Sequence, residues 1–138
     1  MVRTTAEPSW IGAMLDRAWL WPLARLALVS AYLLGGVVKL LDFPAAAAEQ
    51  AHFGLEPAAL WATAAIAVEL GGSALIVAGR LVWLGAGALS VLTAVATFVA
   101  QPFWALEGPA RAMALNGFFE HLGLIAGLVL AAGLAHRT

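Results

Sequence analysis

Glu69 sits near the centre of an apolar run, Ala58–Gly79, that is long enough to cross a bilayer. At ~1.5 Å of helix per residue it lies ~20 Å from Glu56 and ~16 Å from Arg80. A hydrocarbon core is ~30 Å thick, so this carboxyl group falls close to the midplane. An ionisable group at that depth is costly and should face protein or trapped water and have a partner. Two more titratable residues, Glu120 and His121, stand side by side in another apolar stretch. Glu69, Glu120 and His121 are therefore the candidates for catalytic proton handling, the work that carboxylates and imidazoles do when held against a reacting group. Tyr32, Lys39, Asp42, Ser73, Thr93, Thr97, Gln101 and Asn116 are the candidates for lining a ligand pocket beside them.

The same residues also have a purely structural reading. Glu69 can bond a neighbouring Ser or Thr, and Lys39 can clamp helices through Asp42 or Glu120; polar contacts of this kind hold membrane bundles together at ~0.6 kcal/mol each. No metal site is expected. His52, Asp42, Glu120 and His121 are suitable ligand types, but Glu120 and His121 are neighbours on a helix and point ~100° apart. Ser30, Ser73 and Ser90 lack a His at helical spacing, so nucleophilic catalysis has no support. No phosphate loop or dinucleotide fingerprint occurs; the glycine pairs lie within apolar runs, where close helix packing accounts for them.

The elements that must position these groups are long apolar helices. The spans are expected at about 23–41, 58–79, 81–100 and 117–134, giving an all-α integral membrane four-helix bundle, up-down-up-down, within a single membrane domain. Tyr32, Gly35/Gly36 and Lys39 share one helical face. Ser90, Thr93, Thr97 and Gln101 form a polar stripe down another, and Asn116, Glu120 and Gly127 align on a third. Turned inward, these stripes would make a polar pocket open toward the outside, with Glu69 at its floor. Short interfacial helices are expected outside the spans. Pro8 and Ser9 can start one bearing Trp10, Ile11, Met14 and Leu15, with a frayed terminus as the alternative. Asp42 and Pro44 can start a second that lies at the membrane surface or tucks over the bundle mouth, and Pro109 can start a third before residue 117.

Composition agrees with burial in lipid. Of 138 residues, 63% are hydrophobic and 11% charged, against ~45–50% and ~25% in soluble domains, and mean hydropathy is +0.92. A net charge of −1 gives no basic surface for nucleic acid. With no cysteine, the chain holds no disulfide, thiol redox couple or thiolate-bound cluster of its own. Cleavage as a signal peptide at Ala45–Ala48 is disfavoured by the long polar lead and by Lys39. Arg3, Arg17, Arg25, Arg80 and Arg137 fall on one side of the expected topology, Lys39 and Arg111 on the other. The first side is thus expected to be cytoplasmic, with both termini inside a bacterial inner membrane. Small-solute transport is disfavoured, since broken span pairs and inverted repeats are missing.

Four segments in series, YLLGGVVKLLDFP, AIAVELGGSALIVAGR, TFVAQPFW and NGFFEHLGLIAGLVL, resemble the DoxX family of small four-span bacterial membrane proteins. The resemblance covers about residues 25–134. It implies a component of a quinone-linked oxidoreductase system, because the family takes its name from a subunit of a terminal quinol oxidase. Lys39, Glu69, Asn116 and His121 match the recurrent polar positions, with Glu120 beside them. A quinone is the implied cofactor or substrate. The implied partners are the lipid bilayer and a redox subunit or further copies of the chain. A non-catalytic membrane anchor or scaffold of a larger complex is the alternative.

Overall fold

A computed structural model describes residues 6–137. Arg3, used in the topology argument, lies outside the described residues. The chain forms helix α1 (Ser9–Leu15), α2 (Leu20–Leu41), α3 (Phe43–His52), α4 (Ala58–Ala78), α5 (Val82–Ala100) and α6 (Gly108–Arg137), with a 3₁₀ turn at Phe103–Ala105 before α6. Among the described residues there is no strand. Helices α2, α4, α5 and α6 are each long and apolar enough to cross a membrane, the third together with the 3₁₀ turn that follows it. The architecture is an all-α membrane bundle.

Local chemistry sets most of the boundaries. Asp42 ends α2 and caps α3, its Oδ1 accepting the Ala45 N–H at 3.2 Å, which satisfies one of the unpaired donors of a helix start. Gly79 closes α4 in the left-handed region, φ 71°. The Arg80 N–H then returns to the Leu75 carbonyl at 3.1 Å, the six-to-one bond of a Schellman stop. Three residues later α5 begins, so α4 and α5 form a tight antiparallel hairpin.

Two boundaries differ from the sequence expectation. The first span begins at Leu20 rather than residue 23, because Pro22 falls within the first helical turn and is tolerated there. The segment expected as a separate interfacial helix before residue 117 is instead the start of α6, which runs unbroken for 30 residues. Ala110, Ala112, Met113, Ala114 and Leu115 are good helix formers, and nothing between Pro109 and Asn116 stops the helix.

The core packs where the side chains are smallest. A Cβ added to Gly85 on α5 would meet the Gly72 carbonyl of α4 at 2.6 Å, so the two backbones touch as only glycines allow. Val29, Ile76, Leu89 and Leu128, one from each long helix, are fully buried around this crossing. Outward faces are apolar and bare, Leu130 on α6 being 73% exposed, as expected of surface that meets lipid.

Candidate functional site

Toward the other end of the α4/α5 hairpin a cavity of about 650 Å³ opens among the helices. That volume is within the range of small-molecule sites. Its polar lining comes from five helices: Tyr32 and Lys39 of α2, Glu49 and Gln50 of α3, Glu69 of α4, Thr93 of α5 and His121 of α6. The remaining walls are mostly Ala, Val and Leu.

Lys39 donates from Nζ to Glu69 Oε1 at 2.9 Å. This pairing was not among those the sequence suggested for Lys39, and helix geometry explains it. Side chains lean toward the N-terminus of their helix, so Lys39, two residues from the end of α2, leans into the bundle rather than out of it. Gly35, one turn earlier, leaves the room: a Cβ there would stand 2.8 Å from Glu69 Oε2 and 3.5 Å from Lys39 Nζ. Glu69 is 7% exposed. Paired carboxylate and ammonium thus meet the requirement that a charge taken from water be matched. An ammonium has three donors, so the bond to Glu69 leaves two N–H groups of Lys39 for other acceptors.

A second polar chain crosses from α2 to α6. Tyr32 and Thr93 hydroxyls are 2.5 Å apart, and Thr93 donates back to the Leu89 carbonyl at 2.7 Å. A hydroxyl has one proton, so Tyr32 is the donor in the first bond. Thr97 likewise donates to the Thr93 carbonyl at 2.6 Å while contacting His121 Nδ1 at 2.8 Å. His121 must then donate from Nδ1, which leaves Nε2 of the neutral ring as an acceptor. Thr97 is itself 5% exposed and sits behind His121 rather than on the cavity wall.

The expected site residues therefore divide. Glu69, His121, Tyr32, Lys39 and Thr93 line one cavity. Asp42, Ser73, Thr97, Gln101, Asn116 and Glu120 do not. Asp42 is an exposed helix cap. Ser73 is fully buried, and its hydroxyl has no partner. Gln101 lies over Gly117, whose missing Cβ would come within 2.6 Å of its amide carbon. Asn116 and Glu120 are exposed. The cavity is consequently less polar than the stripes on the spans suggested, since parts of those stripes face helix seams or the exterior.

Glu49, Gln50 and Phe53 were missed as lining residues; they bring α3 across the end of the cavity. Their i, i+1, i+4 spacing puts them near one helical face, a signal available in the sequence once α3 is folded over the bundle.

A family model described as DoxX matches residues 20–102. No curated protein and no solved structure matched the chain.

Proposed function

The chain belongs to the DoxX family, and from its cavity we propose that it is a component of a quinone-linked oxidoreductase system, the cavity holding a quinone-type ring. The observation that carries this reading is the partly buried Lys39–Glu69 ion pair in a mostly apolar cavity that also presents Tyr32 and His121. The residues fit such a ring. Apolar walls accept its faces, Lys39 has N–H groups to donate to a carbonyl oxygen, and His121 Nε2 accepts from a hydroxyl. Bound in its reduced form, the ring supplies two electrons and two protons on oxidation. His121 takes one proton at Nε2 and the Glu69 carboxylate takes the other, with Lys39 holding Glu69 in place. The two electrons would need an acceptor that a partner subunit supplies. Glu120, exposed and outside the cavity, has no part in this transfer. The basic residues Arg17, Arg25, Arg80 and Arg137 at one end of the bundle, with Lys39 and Arg111 toward the other, support an inner-membrane protein with both termini cytoplasmic.

The test is Glu69→Gln in native membranes, with the unfolding midpoint of the purified variant measured alongside. Quinol-dependent turnover should fall ~100-fold or more, the scale on which a positioned proton acceptor contributes, while the fold survives. An unchanged rate overturns the reading.

A second reading, a non-catalytic anchor or scaffold, is favoured by α6. Only Ala114 and Leu128 of its 30 residues are buried, which leaves a long apolar face for another subunit. A stoichiometric partner retained in mild detergent, with turnover indifferent to Glu69→Gln, would favour it.

A further inference from the structure

One wall of the cavity is made by well-exposed residues of α4 and α5. Helices α4 and α5 bring their backbones into contact at Gly72 and Gly85. Beyond that crossing Trp61 and Val68 of α4 and Val91, Val95 and Ala96 of α5 line the cavity. Trp61 is 41% exposed, Val91 65% and Val95 41%. These lining side chains are thus well exposed, and they belong to segments apolar enough to lie in hydrocarbon. At the end of the bundle the route is different, because Glu49 and Gln50 of α3 and Phe53 just after it lie across the cavity.

Charge narrows the occupant. Lys39 is matched by Glu69, and Glu49 adds a further carboxylate to the lining. With His121 neutral, the formal charges of the lining sum to negative, so an anionic phosphate or carboxylate head is disfavoured. A neutral head that both donates and accepts hydrogen bonds is suited. We propose that the site takes a neutral-headed amphiphile with a single alkyl or isoprenoid chain. Its head lies at Lys39, Glu69 and His121, and its chain lies between α4 and α5, reached sideways from the bilayer rather than from water over α3. The inference rests on the reading of the cavity given above and adds the chain, its track and its route.

The experiment uses the full chain in nanodiscs of unbrominated phosphatidylcholine. The probe is an alkylhydroquinone, kept reduced, with bromines at mid-chain to quench nearby tryptophan. Quenching should contain a saturable part that the unbrominated compound displaces and that vanishes in Trp61→Phe. Ala96→Phe, which fills the track, should raise the half-saturation point about tenfold or more, as overfilling an apolar site does. Displacement in the wild type and the Trp61→Phe comparison do not depend on how Ala96→Phe folds. Quenching that is non-saturable and equal in wild type and Trp61→Phe overturns the chain placement. Equally saturable quenching by brominated phosphatidylglycerol overturns the neutral-head assignment. If chain placement fails while Glu69→Gln still abolishes turnover, the proton chemistry stands without this track. Saturable binding with turnover indifferent to Glu69→Gln retains the track and removes the chemistry.

Discussion

The two ends of the α4/α5 hairpin are built from the same helices and do opposite things. At the Gly79 end, Gly72 and Gly85 bring the backbones together, with Ile76 and Leu89 fully buried beside them. At the α3 end the helices part around a cavity, and the side chains that meet across it are Lys39, Glu69, Tyr32, Thr93 and His121. Without a hydrophobic drive between helices in lipid, close van der Waals contact supplies cohesion at the first end. Polar pairs supply it at the second. The comparison teaches that a small bundle can hold open an internal space if one crossing is tight enough and the space carries its own polar ties.

The largest effect should come from breaking the polar tie. Lys39→Met leaves the Glu69 carboxylate buried without its partner, and stability should fall by about 3 kcal/mol. Adding Glu69→Leu to that variant should recover most of the loss. Unfolding in mild detergent, followed by denaturant titration, measures both. If the single variant is as stable as the wild type, the ion pair does not hold the cavity end together.

Next is the tight crossing. Gly85→Ala puts a methyl group 2.6 Å from the Gly72 carbonyl, a backbone atom that cannot rotate away. A loss of about 1–3 kcal/mol is expected. Gly87, two residues on, has nothing within 4 Å of an added Cβ, so Gly87→Ala should stay within about 0.5 kcal/mol of the wild type. Equal melting points for the two variants would erase the contrast between the ends.

A small effect on stability sharpens the polar end. Thr97→Val removes the acceptor of the His121 Nδ1 proton and should cost only ~0.6 kcal/mol. Nitrogen-15 NMR of His121 should show the Nδ1–H tautomer in the wild type and in Thr97→Ser, and the Nε2–H tautomer gaining in Thr97→Val. The same tautomer in all three would mean that Thr97 does not orient the ring.

The four long helices were legible because apolar length alone specifies them. Continuity of α6 was not, since Gly108, Pro109 and Arg111 read as a connection while the alanines and Met113 quietly favour helix. The polar side chains of the cavity were legible as types but not as partners. Lys39 was read with Asp42 or Glu120 because those are near in sequence or depth, whereas its contact with Glu69 depends on how closely α2 approaches α4 at Gly35 and Gly36. Thr93 and Thr97 share a stripe, yet one lines the cavity and the other stands behind His121. A helical face can be read from spacing; which neighbour it meets is settled by packing.

The unbroken α6 has a mechanical consequence. Thirty residues of helix measure ~45 Å, and fitting them inside a ~30 Å hydrocarbon layer would need a tilt of about 48°, beyond the ~0–40° that membrane helices adopt. Part of the helix therefore stands outside the hydrocarbon as a stiff rod. Arg111 and His121 are ten residues apart on it, ~15 Å, with no proline between them and the one glycine, Gly117, packed against Gln101. A displacement of the helix near Arg111 would therefore carry the backbone at His121 with it.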